Sequence, residues 1–282
     1  MALLVIVSLL WAFSFGLIKR HLGGVDSTLV AAVRLGLSLL VFLPLLRPRG
    51  LSAGVIGRLT GIGALQFGVM YLAYIESYRH LRAYEAALFT ITTPLLVTLF
   101  ADALDRRWRP LALAAAVVAV AGTAIVVARS SDLRVTLTGL LLVQLSNAAF
   151  AAGQVLYRSV RQQEPAIRDR GVFALLYAGA SAVALGALAW RAPALALTTP
   201  QWLTLLYLGV VASGAGFFLW NVGATKVSAG TLAVMNNAKV PLGVAVSLLV
   251  FGETAELADL AASFALFGTA LWIAAQAEKG PA

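Results

Sequence analysis

Apolar residues run along this chain in blocks of about twenty, each closed by a charge, a glycine or a proline. Blocks of that length match the ~20 residues with which an α-helix crosses a ~30 Å hydrocarbon layer; a half-buried strand would alternate every second residue instead. The pattern predicts helices near 2–18, 27–46, 54–78, 83–101, 110–128, 137–157, 171–190, 200–223, 229–250 and 257–276. Composition agrees, since 61% of the 282 residues are hydrophobic and mean hydropathy is +0.90. The expected fold class is all-α integral membrane, ten transmembrane helices in a single membrane domain over 1–282, with no length left for a soluble domain. The opening run "MALLVIVSLLWAFSFGLIKR" carries its basic residues, Lys19 and Arg20, after the apolar stretch. A cleaved leader carries them before it, so this run reads as a retained first span.

Charge then sets direction. With the N-terminus inside, twelve basic residues fall in cytoplasmic connections (Arg47, Arg49, Arg58, Arg106, Arg107, Arg109, Arg158, Arg161, Arg168, Arg170, Lys226, Lys279) and seven on the other side (Lys19, Arg20, Arg79, Arg82, Arg129, Arg134, Arg191). The excess places both termini in the cytoplasm, and the location expected is a bacterial inner membrane. The net charge of +9 is thereby a loop feature and implies no nucleic-acid partner. There is no cysteine, and His21 and His80 lie in separate loops, so no metal and no cofactor are expected. The partners implied are a small-molecule substrate and the lipid bilayer; an oligomeric state is not specified.

The two halves repeat. "GTAIVVA" at 122–128 matches "GTALWIA" at 268–274, and "LRA" at 81–83 matches "VSA" at 227–229 with the same offset of 146; Pro94 and Pro241 align after a one-residue gap. Phe13 and Gly16 of the first helix have Phe150 and Gly153 as counterparts in the sixth. Units of five helices, 1–130 and 131–282, enter the membrane in opposite directions because five is odd, and inverted repeats place transporter sites near mid-membrane at their interface. Ten spans as five plus five, "WAFSFG" in the first, an arginine in the second, "AALFTITTPLLVTLFA" in the fourth and a ninth ending "LLVFGE" together resemble the EamA-type drug/metabolite transporters. Within that superfamily the chain looks most like the YddG-type exporters of aromatic amino acids. The resemblance implies a basket of two repeats around a central cavity lined by helices 1, 3, 4, 6, 8 and 9. The sixth helix, "LSNAAFAAGQ", departs from it in lacking the tryptophan of the first.

Candidate chemistry lies where polar residues interrupt these runs. In "LAVMNNAKVPLGVAV", Asn236 and Lys239 are three apart on one helix face, and an ammonium at that depth costs roughly 3 kcal/mol. Pro241 frees the carbonyl of Asn237, and Pro94 that of Thr90; paired helix breaks mark a binding site. Lys239 has no mid-span acid to pair with, leaving a cavity-facing cation or a buried amine held by Asn or Tyr. Gln144, Asn147 and Gln154 form an amide stripe that either binds substrate or ties helices. Tyr71, Tyr74 and Tyr78 share a face, as do Trp11 and Ser14; stacking on a substrate ring and helix packing are the alternatives for them. Arg34 is read as the structural partner of Glu76 or Glu85. The expected function is export of amino acids, preferably aromatic, by alternating access, with Lys239 and Asn236 on the carboxylate. The alternative is export of cationic drugs or another metabolite such as a nucleotide sugar. A channel would conduct without saturating, and an intramembrane enzyme lacks paired mid-span acids and both HExxH and GxxxxGK[ST].

Overall fold

A computed structural model describes residues 1–22, 24–81, 83–127, 136–251 and 257–279. The 130/131 boundary, Arg82, Arg129, Arg134 and the Gly252–Glu253 end of the ninth-helix pattern lie outside the described residues. Among the described residues, helices occupy ten segments. We label them α1 (Ala2–His21), α2 (Ser27–Phe42, continued by a 3₁₀ turn Leu43–Leu45), α3 (Ala53–Ser77), α4 (Ala83–Thr90 and Thr93–Asp105), α5 (Pro110–Val127), α6 (Leu137–Gln163), α7 (Asp169–Arg191), α8 (Thr199–Ala224), α9 (Ala229–Met235 and Lys239–Phe251) and α10 (Leu257–Lys279). Six of these segments, α2, α3, α6, α7, α8 and α10, are long and apolar enough to cross a membrane by length and composition. The protein is a multi-pass membrane protein.

Helices were expected to end where charge begins, yet α6 runs on to Gln163 and α10 to Lys279. Charged side chains can stay on a helix once it leaves the apolar layer; the backbone stops only where something forces it. Arg106 closes α4 at φ 51° and Ala192 closes α7 at φ 41°, both left-handed, each returning an amide to a carbonyl of the last turn. Past α6, Asp169 collects the hydroxyl of Tyr157 (2.6 Å) and Nε of Arg161 (2.7 Å).

Two segments are wound as π-helix, Ala64–Val69 inside α3 and Leu208–Ala215 inside α8. Two others are broken, α4 at 91–92 and α9 at 236–238. Helices α3 and α7 touch backbone to backbone. A Cβ on Gly63 would lie 1.9 Å from the Leu176 carbonyl oxygen, and one on Gly179 2.0 Å from that of Thr60. A Cβ on Gly153 of α6 would lie 2.2 Å from Cβ of Gln66. Where lipid and protein are equally apolar, such close approach is what holds helices together.

One end of the bundle is tied by charge. Arg191 reaches Glu76 at 2.6 Å, Ser27 at 3.1 Å and Asp26 at 3.9 Å, while Arg79 holds Glu76 at 3.1 Å. At the opposite end Arg109 joins Asp102 at 2.8 Å and Arg58 lies 3.7 Å from Glu164. Trp190 (94% exposed) and Trp202 stand near the first end and Trp108 near the second, as expected of aromatic belts at the two interfaces.

Gly179→Ala is expected to destabilise the protein by about 3 kcal/mol, because a backbone carbonyl cannot give way; a melting temperature in detergent equal to wild type would contradict the α3–α7 contact. Asp26 caps α2, its carboxylate accepting the amides of Thr28 and Leu29. Burial alone would raise its pKa, but these bonds and the Thr28 hydroxyl, with Arg191, bring it below the usual value. A carboxyl depressed in the folded state stabilises above its unfolded pKa (~3.9) and loses that contribution as pH falls through the folded value. The gap in melting temperature between wild type and Asp26→Ala should therefore be full near neutral pH and close in strong acid.

Candidate functional site

Breaking a helix in an apolar interior leaves carbonyls without their amide partners, and each must find another donor. In α4 the carbonyl of Thr90 accepts the Thr93 hydroxyl at 2.7 Å. That of Phe89 accepts Nδ2 of Asn147 at 2.8 Å and Nε2 of Gln144 at 3.2 Å, and Oε1 of Gln144 accepts the Thr92 hydroxyl at 2.9 Å. In α9 the Asn237 carbonyl receives the Val240 amide at 3.0 Å. The Asn237 amide donates to the Ile91 carbonyl at 2.9 Å, so one break is bonded to the other. Asn236, 1% exposed, exchanges two 3.2 Å hydrogen bonds with Gln154 and donates to the Leu232 carbonyl at 2.8 Å. Gln154 also accepts from the Trp220 indole at 2.9 Å. The whole amide stripe of α6 is thus spent on the two breaks, Gln144 and Asn147 on α4 and Gln154 on α9.

The π-helical segment of α8 is held the same way. Its carbonyls accept from Ser38 (Gly209, 2.7 Å), from the Trp11 indole (Ala212, 2.9 Å) and from the Tyr177 hydroxyl (Ser213, 2.8 Å; Gly214, 2.6 Å). Three helices, α1, α2 and α7, therefore converge on backbone that ordinary winding would have closed.

Around this segment stands an aromatic cluster. The Trp11 ring lies 5.0 Å from Trp220, 5.5 Å from Phe217 and 6.1 Å from Phe150. Phe217 stacks on Phe67 at 4.3 Å and meets Tyr71 edge-on at 5.8 Å. Each flank carries a cation. Lys239, partly buried, puts Nζ 5.6 Å from the Trp11 ring and 5.9 Å from Phe150. Arg34 lies 4.7 Å above the Tyr71 ring and donates Nε to the Ser213 hydroxyl at 3.1 Å; the Tyr71 hydroxyl is 3.3 Å from the same oxygen. Among the described residues neither cation has a carboxylate partner. An aromatic face gives a desolvated cation about 2 kcal/mol, well short of what losing water costs it. The site is suited to a negatively charged or strongly accepting solute.

The structure gathers Lys239, Trp11 and Tyr71 of the expected residues, with Asn236 just behind, its amide fully engaged. Ser14 bonds back to the Leu10 carbonyl at 2.7 Å. Tyr74 and Tyr78 leave the cluster: their hydroxyls bond each other at 2.7 Å, and Tyr74 packs near Leu81 and Val143. The three tyrosines follow the π-helical segment on one regular stretch, and the neighbours divide their face: Phe217 of α8 meets Tyr71, while Leu81 and Val143 pack near Tyr74. The pairing expected for Arg34 is corrected. Glu76 sits at the bundle end with Arg191 and Arg79, a turn and a half beyond Tyr71, while Arg34 faces Ser213. Sequence reading missed Trp220, Ser213 and Tyr177 altogether. Trp220 lies three residues after Phe217 on one helix face. Sequence reading also missed Gln66, 0% exposed, whose amide has no partner on either atom among the described residues.

With this geometry in hand, the comparisons are direct. Residues 1–128 and 137–275 each match the EamA-like transporter family. The chain belongs to that family. It is a transporter and not an enzyme. Similar chains include a protein of Pseudomonas aeruginosa named probable biotin transporter, 45% identical with 97% of this chain and 96% of that one covered. Biotin transporters of Salmonella typhimurium (43% identical, 97% and 92%) and Escherichia coli (42%, 97% and 92%) are comparably related. A solved crystal structure aligns with a TM-score of 0.80 at 22% identity, over 97% of this chain and 95% of the other.

Gln154→Leu should cost about 1–3 kcal/mol, because it leaves the Trp220 indole and the Asn236 amide buried without partners. Thermal unfolding followed by tryptophan fluorescence checks this; an unchanged midpoint would mean that the amide triad does not hold the α9 break.

Proposed function

We propose that this transporter carries biotin, or a closely similar monocarboxylate, through the aromatic cluster, with Lys239 receiving the carboxylate. The unpaired Lys239 ammonium over Trp11 and Phe150 carries the reading. The names of relatives 42–45% identical over 97% of the chain support it. The expected preference for aromatic amino acids gives way on the same observation. An amino acid brings its ammonium two bonds from its carboxylate, beside Lys239, where no described acid stands to receive it. Biotin carries one carboxylate on an apolar tail and no amine. A cationic drug meets the same repulsion.

Transport proceeds by alternating access between two inverted five-helix units, 1–130 and 131–282, in a bacterial inner membrane with both termini cytoplasmic. Three observations favour this arrangement. The family matches twice, once in each half. The third helix of each half, α3 and α8, carries a π-helical segment, and the fourth, α4 and α9, is broken. Asn237 bonds Ile91 across a separation of 146, the offset that aligns the repeats, and equivalent residues touch each other at a two-fold axis.

Proteoliposomes are expected to accumulate labelled biotin to equilibrium faster than empty vesicles, with unlabelled biotin competing and phenylalanine not. Lys239→Ala should lower the initial rate by about tenfold or more, the loss of one charge-assisted hydrogen bond. Tryptophan transport at a rate equal to that of biotin, or an unimpaired Lys239→Ala, would overturn the assignment.

A further inference from the structure

Arg34 is the second cation of the site, and nothing so far gives it a task. Its guanidinium offers five N–H donors. Among the described residues only Ser213 accepts one, at 3.1 Å, and no carboxylate lies within ion-pair distance. The residue is only 6% exposed. The group is nevertheless firmly placed. Tyr71 lies under it at 4.7 Å, and Ser213, which also touches the Tyr71 hydroxyl, belongs to the π-helical segment that Trp11, Ser38 and Tyr177 hold in shape. A planar donor fork fixed by a ring and a hydroxyl, with its outward nitrogens unused, is the form of a receptor for a carbonyl or other oxygen acceptor. Glu76 does not supply the missing acceptor: its two oxygens are divided between Arg191 and Arg79.

The ring contacts link the two cations into one strip: Arg34 on Tyr71, Tyr71 against Phe217, Phe217 against Trp11, and Trp11 under Lys239. An extended solute lying on that strip meets a donor at each end and apolar faces between. Resting on the assignment of Lys239 to the carboxylate, we propose that Arg34 reads a neutral oxygen acceptor at the far end of the solute, the ureido carbonyl in the case of biotin. The site thereby selects carboxylates that carry a distal carbonyl over those that end in an apolar ring.

Three competitors of labelled biotin separate the two ends: desthiobiotin keeps carboxylate and ureido carbonyl, lipoate keeps the carboxylate on a ring without a carbonyl, and biotin methyl ester keeps only the ureido end. In wild type, desthiobiotin should compete about as well as biotin, and lipoate at least about a hundredfold less well, as expected when a buried donor is left unmatched. Arg34→Gln should bring the biotin-to-lipoate preference down towards unity while leaving discrimination against the ester intact; Lys239→Ala should do the reverse. Arg34→Lys, which retains the charge without the fork, should fall between, and it carries the test alone if Arg34→Gln does not accumulate in the membrane. Lipoate competing as well as desthiobiotin in wild type overturns the proposal. So does an Arg34 variant, Lys or Gln, that weakens biotin and lipoate equally or that loses discrimination against the ester. If biotin is not transported by wild type at all, the assignment of biotin fails first, and that failure is seen before any variant is compared.

Discussion

Every carbonyl released inside an apolar bundle has to be met by a donor from the same chain, and this requirement organises the centre of the molecule. Proline at 94 and at 241 interrupts α4 and α9, and winding is relaxed in α3 and α8. Each interruption would be costly on its own. Those in α4, α8 and α9 are met by particular groups: Thr93, Gln144, Asn147 and the Asn237 side chain for α4, Ser38, Trp11 and Tyr177 for α8, and the Asn236 side chain and the Val240 amide for α9, with Gln154 holding Asn236. These donors come from helices far apart in sequence, so satisfying the backbone also fixes the relative positions of α1, α2, α4, α6, α7, α8 and α9. The polar residues of the interior serve mainly as structural ties, against which Lys239 and Arg34, two cations without a carboxylate partner among the described residues, stand out.

Those two cations share a physical logic. Neither has an acid among the described residues, both lie on aromatic faces, and the rings beneath them form one connected surface. Cation–π contact alone leaves a deficit for a desolvated charge. A solute that brings an acceptor removes that deficit only while it is bound, which is how a transporter obtains affinity for a substrate it must also release.

Much of this was legible in the chain. Apolar runs coincide with helical segments among the described residues, six of them long and apolar enough to cross a membrane, because in lipid length and apolarity leave the backbone little choice. Pro94 and Pro241 marked the breaks, since a missing N–H acts wherever it falls. Lys239 was conspicuous because so few residues of its kind occur in such a run. The roles of the amides were less accessible. Gln144, Asn147 and Gln154 on one face read equally as substrate ligands or as helix ties, and only the partners decide. Tyr71, Tyr74 and Tyr78 showed a common face that the neighbouring helices then divided between two environments.

What the sequence determined by itself was therefore one-dimensional: membrane class, the helical intervals, their interruptions, and one cation with no acid at its depth. Which donor meets which carbonyl was decided by tertiary structure, as were the separation of Arg34 from Glu76, the entry of Phe150, Phe217 and Trp220 beside Trp11, and the strip joining both cations. The reason is that periodicity gives the direction a side chain takes from its own helix axis, while a partner is set by how helices cross. Those crossings depend on glycines such as Gly63 and Gly179 meeting carbonyls more than a hundred residues away, a relation that no local pattern encodes.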